Sequence, residues 1–151
     1  MMGAEAGVDQ RELRHFLDFL RAKDAKAPGI LHVAKATGRD DFHVFGEGFA
    51  LDNPFHDTQA RRIEAYLRRP DGMPVLPGMI DFPLYGMASA VFARGAPTAQ
   101  LGHRIRSRMV LHADPWRMPT FIDNHDVDRF LAGGDEAGLK QALVMLMTLA
   151  G

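Results

Sequence analysis

The chain has 151 residues and a formal net charge of −1, with Lys+Arg 18 against Asp+Glu 19, so its charge balance favours neither nucleic acid nor an anionic membrane surface. Hydrophobic residues at 46% and charged residues at 25% are enough for a packed core and exclude a disordered chain. With no cysteine there is no disulfide framework or thiolate metal site, and no apolar run of about 18 residues is present to span a bilayer.

The length predicts one domain over residues 1–151. MMGAEAGVDQ lacks the charged and apolar regions of a signal peptide, and localisation stays open. Asp9-Gln10-Arg11-Glu12 reads as a capping box, followed by Leu13, Phe16, Leu17 and Leu20 on one helical face. Pro28 can open a second short helix and Gly38 can close it. Phe42-His43-Val44-Phe45 is a short β run that exits through Gly46-Glu47-Gly48, where the glycines allow a sharp turn. His56–Arg69 is expected to be helical, with Ile63, Tyr66 and Leu67 inward and a stop at Pro70-Asp71-Gly72. Met79–Phe82 reads as a strand, and Pro83 opens a helix to about Arg94, ended by Gly95-Ala96-Pro97. Thr98 is expected to cap a helix to about Val110, whose His103, Arg104, Arg106 and Arg108 read as a solvated face. In Met118–Arg129 the apolar pair Phe121-Ile122 delivers Asp123, Asn124, His125 and Asp126. The last helix, from about Glu136, should bury Leu139, Leu143, Leu146 and Met147, broadened by Val144 and Met145, with Gly151 as its C-terminal cap.

Strands alternating with helices imply parallel βα units, which need helices on both faces or closure into a barrel. Three such strands make a poor free-standing core. The last helix is also very apolar, so the expectation is a piece of a larger α/β structure.

Polar residues at the carboxyl ends of strands are where α/β folds place their chemistry. Glu47 and Asp126 are the acids at two such ends. At about 31 residues per βα unit, their spacing fits two units plus one extra helix, with Met79–Phe82 as the intervening strand. Two carboxylates facing one substrate, one protonated and one ionised, are the basic apparatus of glycoside hydrolysis. Either acid alone is equally a cap or a solvated loop residue. His125 can serve as a hydroxyl or metal ligand or as a structural side chain.

Phe121–Asp126 (FIDNHD), followed by Arg129, resembles the fourth conserved region of the α-amylase family, glycoside hydrolase family 13. Phe45–Phe49 (FGEGF) resembles its acid/base region, Ile80–Tyr85 (IDFPLY) its strand-six segment, and Gly138–Gly151 the helix after strand seven. The match runs from about Phe42 to Gly151. It implies an α/β fold, a partial (β/α)8 TIM barrel of roughly half a barrel covering about strands five to seven. It also implies a retaining enzyme of α-glucosidic bonds in starch- or maltodextrin-like sugars. By matched position Glu47 is the general acid/base and Asp126 the transition-state stabiliser that also binds hydroxyls. His125 is a sugar ligand, Asn124 supports the turn, Arg129 positions the site, and Phe49 and Phe82 are candidates to contact sugar rings.

The family's aspartate nucleophile follows a pattern like G-F-R-x-D on strand four, and nothing before Arg21 matches it. Asp9 sits in a capping box and Asp18 inside a helical pattern. The chain alone is therefore expected to be inactive. No cofactor is expected, although calcium is compatible with a full-length parent. The expected partner is an oligo- or polysaccharide, with self-association through open barrel edges as an alternative, and neither nucleic acid nor membrane. Two rival readings are a non-catalytic half-barrel that binds sugar, and a metal-dependent hydrolase using His43, Glu47, His125 and Asp126. No H-x-H or H-E-x-x-H spacing supports the second.

Overall fold

Segments 45–49, 78–81 and 118–122 lie side by side in the structure, a computed structural model that describes residues 45–149 and 151. Gly46 and Met79 form a parallel bridge: Gly46 N–H donates to the Gly78 carbonyl at 2.9 Å, and Ile80 N–H donates to the Gly46 carbonyl at 2.9 Å. On the other side, Asp81 N–H donates to the Pro119 carbonyl at 2.9 Å, and Met79 N–H meets Met118 Sδ at 3.4 Å. Among the described residues this pairing is confined to isolated bridges. The two helices expected before Gly38, and Phe42–Val44, lie outside the described residues.

Gly78 sets the closeness of the second and third segments. A Cβ there would stand 1.8 Å from the Arg117 carbonyl oxygen, so no other residue fits. The expected strand at Met79–Phe82 is cut short because Asp81 caps a helix. Its Oδ1 accepts Leu84 N–H at 3.0 Å, and Pro83 suits the first turn.

Among the described residues, five α-helices and two shorter turns follow in order. Helix α1 (Thr58–Leu67) buries Ala60, Ile63 and Leu67. Tyr66, expected inward, falls on the flank of that stripe and is exposed. The chain then reverses at Pro70-Asp71-Gly72, where Gly72 takes φ +83, and Arg68 pairs antiparallel with Pro74. Helix α2 (Phe82–Ala88) continues as one π-helical turn, Ser89–Ala93, closed by Ala96 N–H on the Ala90 carbonyl at 2.9 Å. Helix α3 (Thr98–Leu111) starts after Pro97 without the side-chain cap expected from Thr98. A 3-10 turn at Pro115–Arg117 precedes the third segment. Helix α4 (Phe130–Gly133) and helix α5 (Glu136–Thr148) close the order, with Asp135 Oδ1 accepting Gly138 N–H at 2.7 Å.

Three apolar clusters tie these elements together. Ile63 and Leu67 of α1 pack with Met79 and Met118. Leu84, Met87, Ala88, Val91 and Leu101 join α2 to α3. Ile122, Phe130 and Ala142 join the third segment to α4 and α5. No helix among the described residues is long and apolar enough to cross a membrane.

Two expectations about helix faces change. Arg104 and Arg108 of α3, read as solvated, are each 1% exposed because carboxylates from elsewhere in the chain meet them. Helix α5 turns its small residues inward: Gly138 and Ala142 are buried, while Leu143, Val144 and Met147 are exposed, Met147 at 84%. A Cβ at Gly138 would lie 2.2 Å from the Phe92 carbonyl oxygen, so close approach to the π-helical turn selects that face.

Candidate active site

Glu47 follows directly on the bridged Gly46 and is exposed. The glycines around it pack on side chains: a Cβ at Gly46 would meet Leu76 and Met79, and one at Gly48 would meet Met79. Two residues on, Phe49 is 63% exposed, yet its ring centroid lies 4.9 Å from that of buried Phe82. Phe82 in turn meets Phe121 edge-on at 5.1 Å, and Phe121 stacks on Tyr85 at 4.7 Å. This aromatic series links the segment bearing Glu47 to the one that leads to Asp126.

The second acid sits in a tight polar loop. Buried Ile122 anchors its start. Asn124 Oδ1 accepts Asp126 N–H at 2.9 Å, an Asx turn that fixes the tip. His125 Nε2 lies 3.3 Å from Asp126 Oδ1, with the imidazole largely in solvent. Arg129 Nη1 donates to Asp123 Oδ1 at 2.9 Å, and Phe130 N–H donates to Asp123 Oδ2 at 3.1 Å. Partial burial pushes the Asp123 carboxyl up, but the Phe130 N–H bond and the Arg129 guanidinium outweigh it and hold the group below its ordinary value.

Behind these loops lie charged groups that the sequence reading left on the surface. Arg108 Nε donates to Asp81 Oδ2 at 2.8 Å, and its Nη2 donates to the Pro115 and Met118 carbonyls at 2.6 and 3.1 Å. One guanidinium thus fixes both the end of the second segment and the start of the third. Arg104 Nη2 donates to Asp52 Oδ2 at 2.9 Å and to the His56 carbonyl, while Asp52 also accepts Gln59 and Ala60 N–H. Asp52 therefore caps α1 and joins the loop after Phe49 to α3. Asp57 Oδ1 accepts the Ser107 hydroxyl at 2.6 Å and lies 3.1 Å from His103 Nε2. Arg104 Nη1 is 3.2 Å from Asp57 without hydrogen-bond alignment, so that contact is charge attraction alone. His112 Nδ1 pairs with Glu64 Oε2 at 3.1 Å.

The candidate residues thus fall into two groups. Asn124, His125 and Asp126 share one turn, and Arg129 is joined to that loop through Asp123. Glu47 and Phe49 stand on the first segment, separated from that loop's segment by the second and connected to it through the aromatic series. Asp52, Asp81, Arg104, Arg108 and Asp123 had no assigned role in the sequence. Of these, only Asp81 carried a local signal, an acid directly before Phe-Pro at a helix start. No group of three or more His, Cys, Asp or Glu among the described residues is arranged to hold a metal ion; His43 lies outside them. An open recess of about 360 Å³ lies apart from the candidate residues, between the π-helical turn and the start of α5.

No protein-family model matches the chain, and no curated protein matches it. Among solved structures it is similar to CldA, a cyclomaltodextrin glucanotransferase with a three-domain ABC distribution, at a TM-score of 0.63 and 27% sequence identity. The similarity covers 77% of this chain and 22% of that one. The chain is therefore similar, over most of its own length, to part of a glycosyl-transferring enzyme and spans about a fifth of that enzyme.

Proposed function

We propose that the chain is part of a retaining α-glucan-active barrel, a hydrolase or transglycosylase of the α-amylase kind, in which Glu47 is the acid/base and Asp126 the second carboxylate. The observation that carries this reading is the likeness to a cyclomaltodextrin glucanotransferase at 27% identity. The position of each acid shortly after an apolar run in the sequence is in keeping with it.

In this mechanism protonated Glu47 gives its proton to the glycosidic oxygen as the bond to the anomeric carbon breaks, and a carboxylate nucleophile takes that carbon. Glutamate, now ionised, removes a proton from water or from a sugar hydroxyl, which attacks the anomeric carbon and frees the nucleophile. Water gives hydrolysis; a sugar acceptor gives transglycosylation. Asp126 and His125 hold substrate hydroxyls, Asn124 shapes the turn, and Phe49 offers an apolar ring face to a sugar. Arg129 is charged and adjacent. The chemistry runs on carboxylates.

Retention needs a nucleophile about 5–5.5 Å from the acid/base. No segment of the chain carries the G-F-R-x-D pattern. The chain by itself is expected to bind an acarbose-like oligosaccharide and to hydrolyse maltooligosaccharides at no appreciable rate. Titration with the oligosaccharide, beside a reducing-end assay, tests both. Binding should be lost in His125→Ala and Asp126→Ala. Robust turnover abolished by Glu47→Gln would overturn the expected inactivity, and absence of any binding would sink the sugar-site reading.

Self-association is a second reading, favoured by the exposed Leu143, Val144 and Met147 of α5. Sedimentation alongside the sugar titration decides it; a defined oligomer that binds sugar without turnover would point to a non-catalytic module.

A further inference from the structure

We infer that Asp123 is the positioning residue of the loop bearing His125 and Asp126, and that Arg129 acts through Asp123 instead of touching substrate; this rests on the reading of that loop as part of a sugar-cleaving site. The loop leaves and re-enters one apolar cluster, since Ile122 and Phe130 both pack with Ala142. Between those anchors a single carboxylate closes the base. Asp123 Oδ2 takes Phe130 N–H at 3.1 Å and Oδ1 takes Arg129 Nη1 at 2.9 Å. Asn124 independently closes the tip over Asp126 N–H. Base and tip are thus fixed by different residues, with His125 and Asp126 exposed at the tip.

The chemistry divides the labour. Phe130 N–H needs an acceptor, which a carboxylate or an amide supplies. Arg129 needs a negative charge, which only the carboxylate supplies. With its guanidinium on Asp123, Arg129 neutralises the base of the loop, while Asp126 stays exposed beside His125 at the tip. Nη1 of Arg129 is engaged by Asp123, which ties the guanidinium to the base of the loop.

The test uses the full chain and three variants, Asp123→Ala, Asp123→Asn and Arg129→Met. Amide-exchange protection of residues 124–130 is measured by NMR, with α3 and α5 amides as internal references, together with the affinity for acarbose. In Asp123→Ala, protection of Phe130 N–H and the loop amides is expected to fall about tenfold, the scale of one lost charged hydrogen bond, with α3 and α5 unchanged and acarbose binding weakened. Asp123→Asn should keep the Phe130 bond and recover most of the binding, and Arg129→Met should match it. Unchanged loop protection and affinity in Asp123→Ala would overturn the inference. So would an Arg129→Met variant that loses binding with the loop still protected, because Arg129 would then contact the sugar. If Asp123→Ala loses protection throughout, the other two variants carry the comparison. If the unsubstituted chain binds no acarbose while the loop loosens in Asp123→Ala, the sugar-site reading falls, and Asp123 is only a turn cap.

Discussion

Arg108 and Asp81 form a buried pair whose two members serve different segments. Asp81 caps α2 with one oxygen and holds Arg108 with the other. Nη2 of Arg108 donates to the carbonyls of Pro115 and Met118, while its Nη1 has no hydrogen-bond partner among the described residues. Removing one partner leaves an uncompensated charge inside, which costs about 3–5 kcal/mol. Arg108→Met is therefore expected to lower stability by that order in urea unfolding, more than Arg69→Met, whose partner Asp71 is half in solvent. Equal effects would show that the pair is not buried in solution. Asp57 gives a pH signature. Burial pushes its carboxyl up, but hydrogen bonds from Ser107 and His103 and the charges of Arg104 and His103 outweigh this and hold it below its ordinary value of 3.8. The folded value is depressed, so the contribution is complete above the unfolded value and is lost as pH falls through the folded one. The thermal midpoint should fall on acidification below that range, and less steeply in Asp57→Asn than in the unsubstituted chain. Parallel curves would remove Asp57 from the account.

At the level of elements, contacts are set as much by what is small as by what is apolar. Gly138 lets α5 approach the Phe92 carbonyl, and Gly78 lets the second segment approach Arg117. Gly138→Ala should cost about 1–3 kcal/mol through forced separation of α5 from the π-helical turn. Met147→Lys, on the exposed face, should stay within about 0.5 kcal/mol; chemical unfolding of both variants checks the ranking. This contrast marks where the sequence was legible. The helix over 58–67 and, within a residue, the start of α2 followed from local signals, namely Pro70-Asp71-Gly72 and Pro83, although Asp81 and Phe82 read as strand. The inward face of α5 followed in part: Leu139 and Leu146 pack as expected, but Leu143 and Met147 are exposed, because hydrophobic periodicity carries no information about how near a neighbouring backbone comes. Arg104 and Arg108 sit one turn apart on α3, a spacing that reads as solvated until Asp52 and Asp81 are seen beside them. FIDNHD and FGEGF stood out as polar residues set directly after apolar runs. Asp123 was hidden among them, since four adjacent polar side chains do not reveal which one faces back into its own loop.

At the scale of the whole molecule, α1 is held in two ways. Ile63 and Leu67 pack on Met79 and Met118, while toward α3 and its C-cap the bonds are polar: Asp52 and Asp57 to Arg104, Asp57 to His103, and Glu64 to His112. Substituting Arg104 by Met should therefore loosen α1 and the loop after Phe49 selectively. Amide exchange is expected to accelerate in 52–67 ahead of α5; uniform acceleration would argue against a separable unit. The same seam has a consequence in time. Its acidic half, Asp52, Asp57 and Glu64, precedes its basic half on α3 by 46 to 52 positions. During synthesis from the N-terminus the carboxylates leave the ribosome first, and Asp52 and Asp57 lack Arg104 until α3 has followed. Docking of α1 is then a late step, set by the emergence of α3, and pulse-labelled exchange on stalled chains ending before and after Leu111 would show α1 protected only in the longer one.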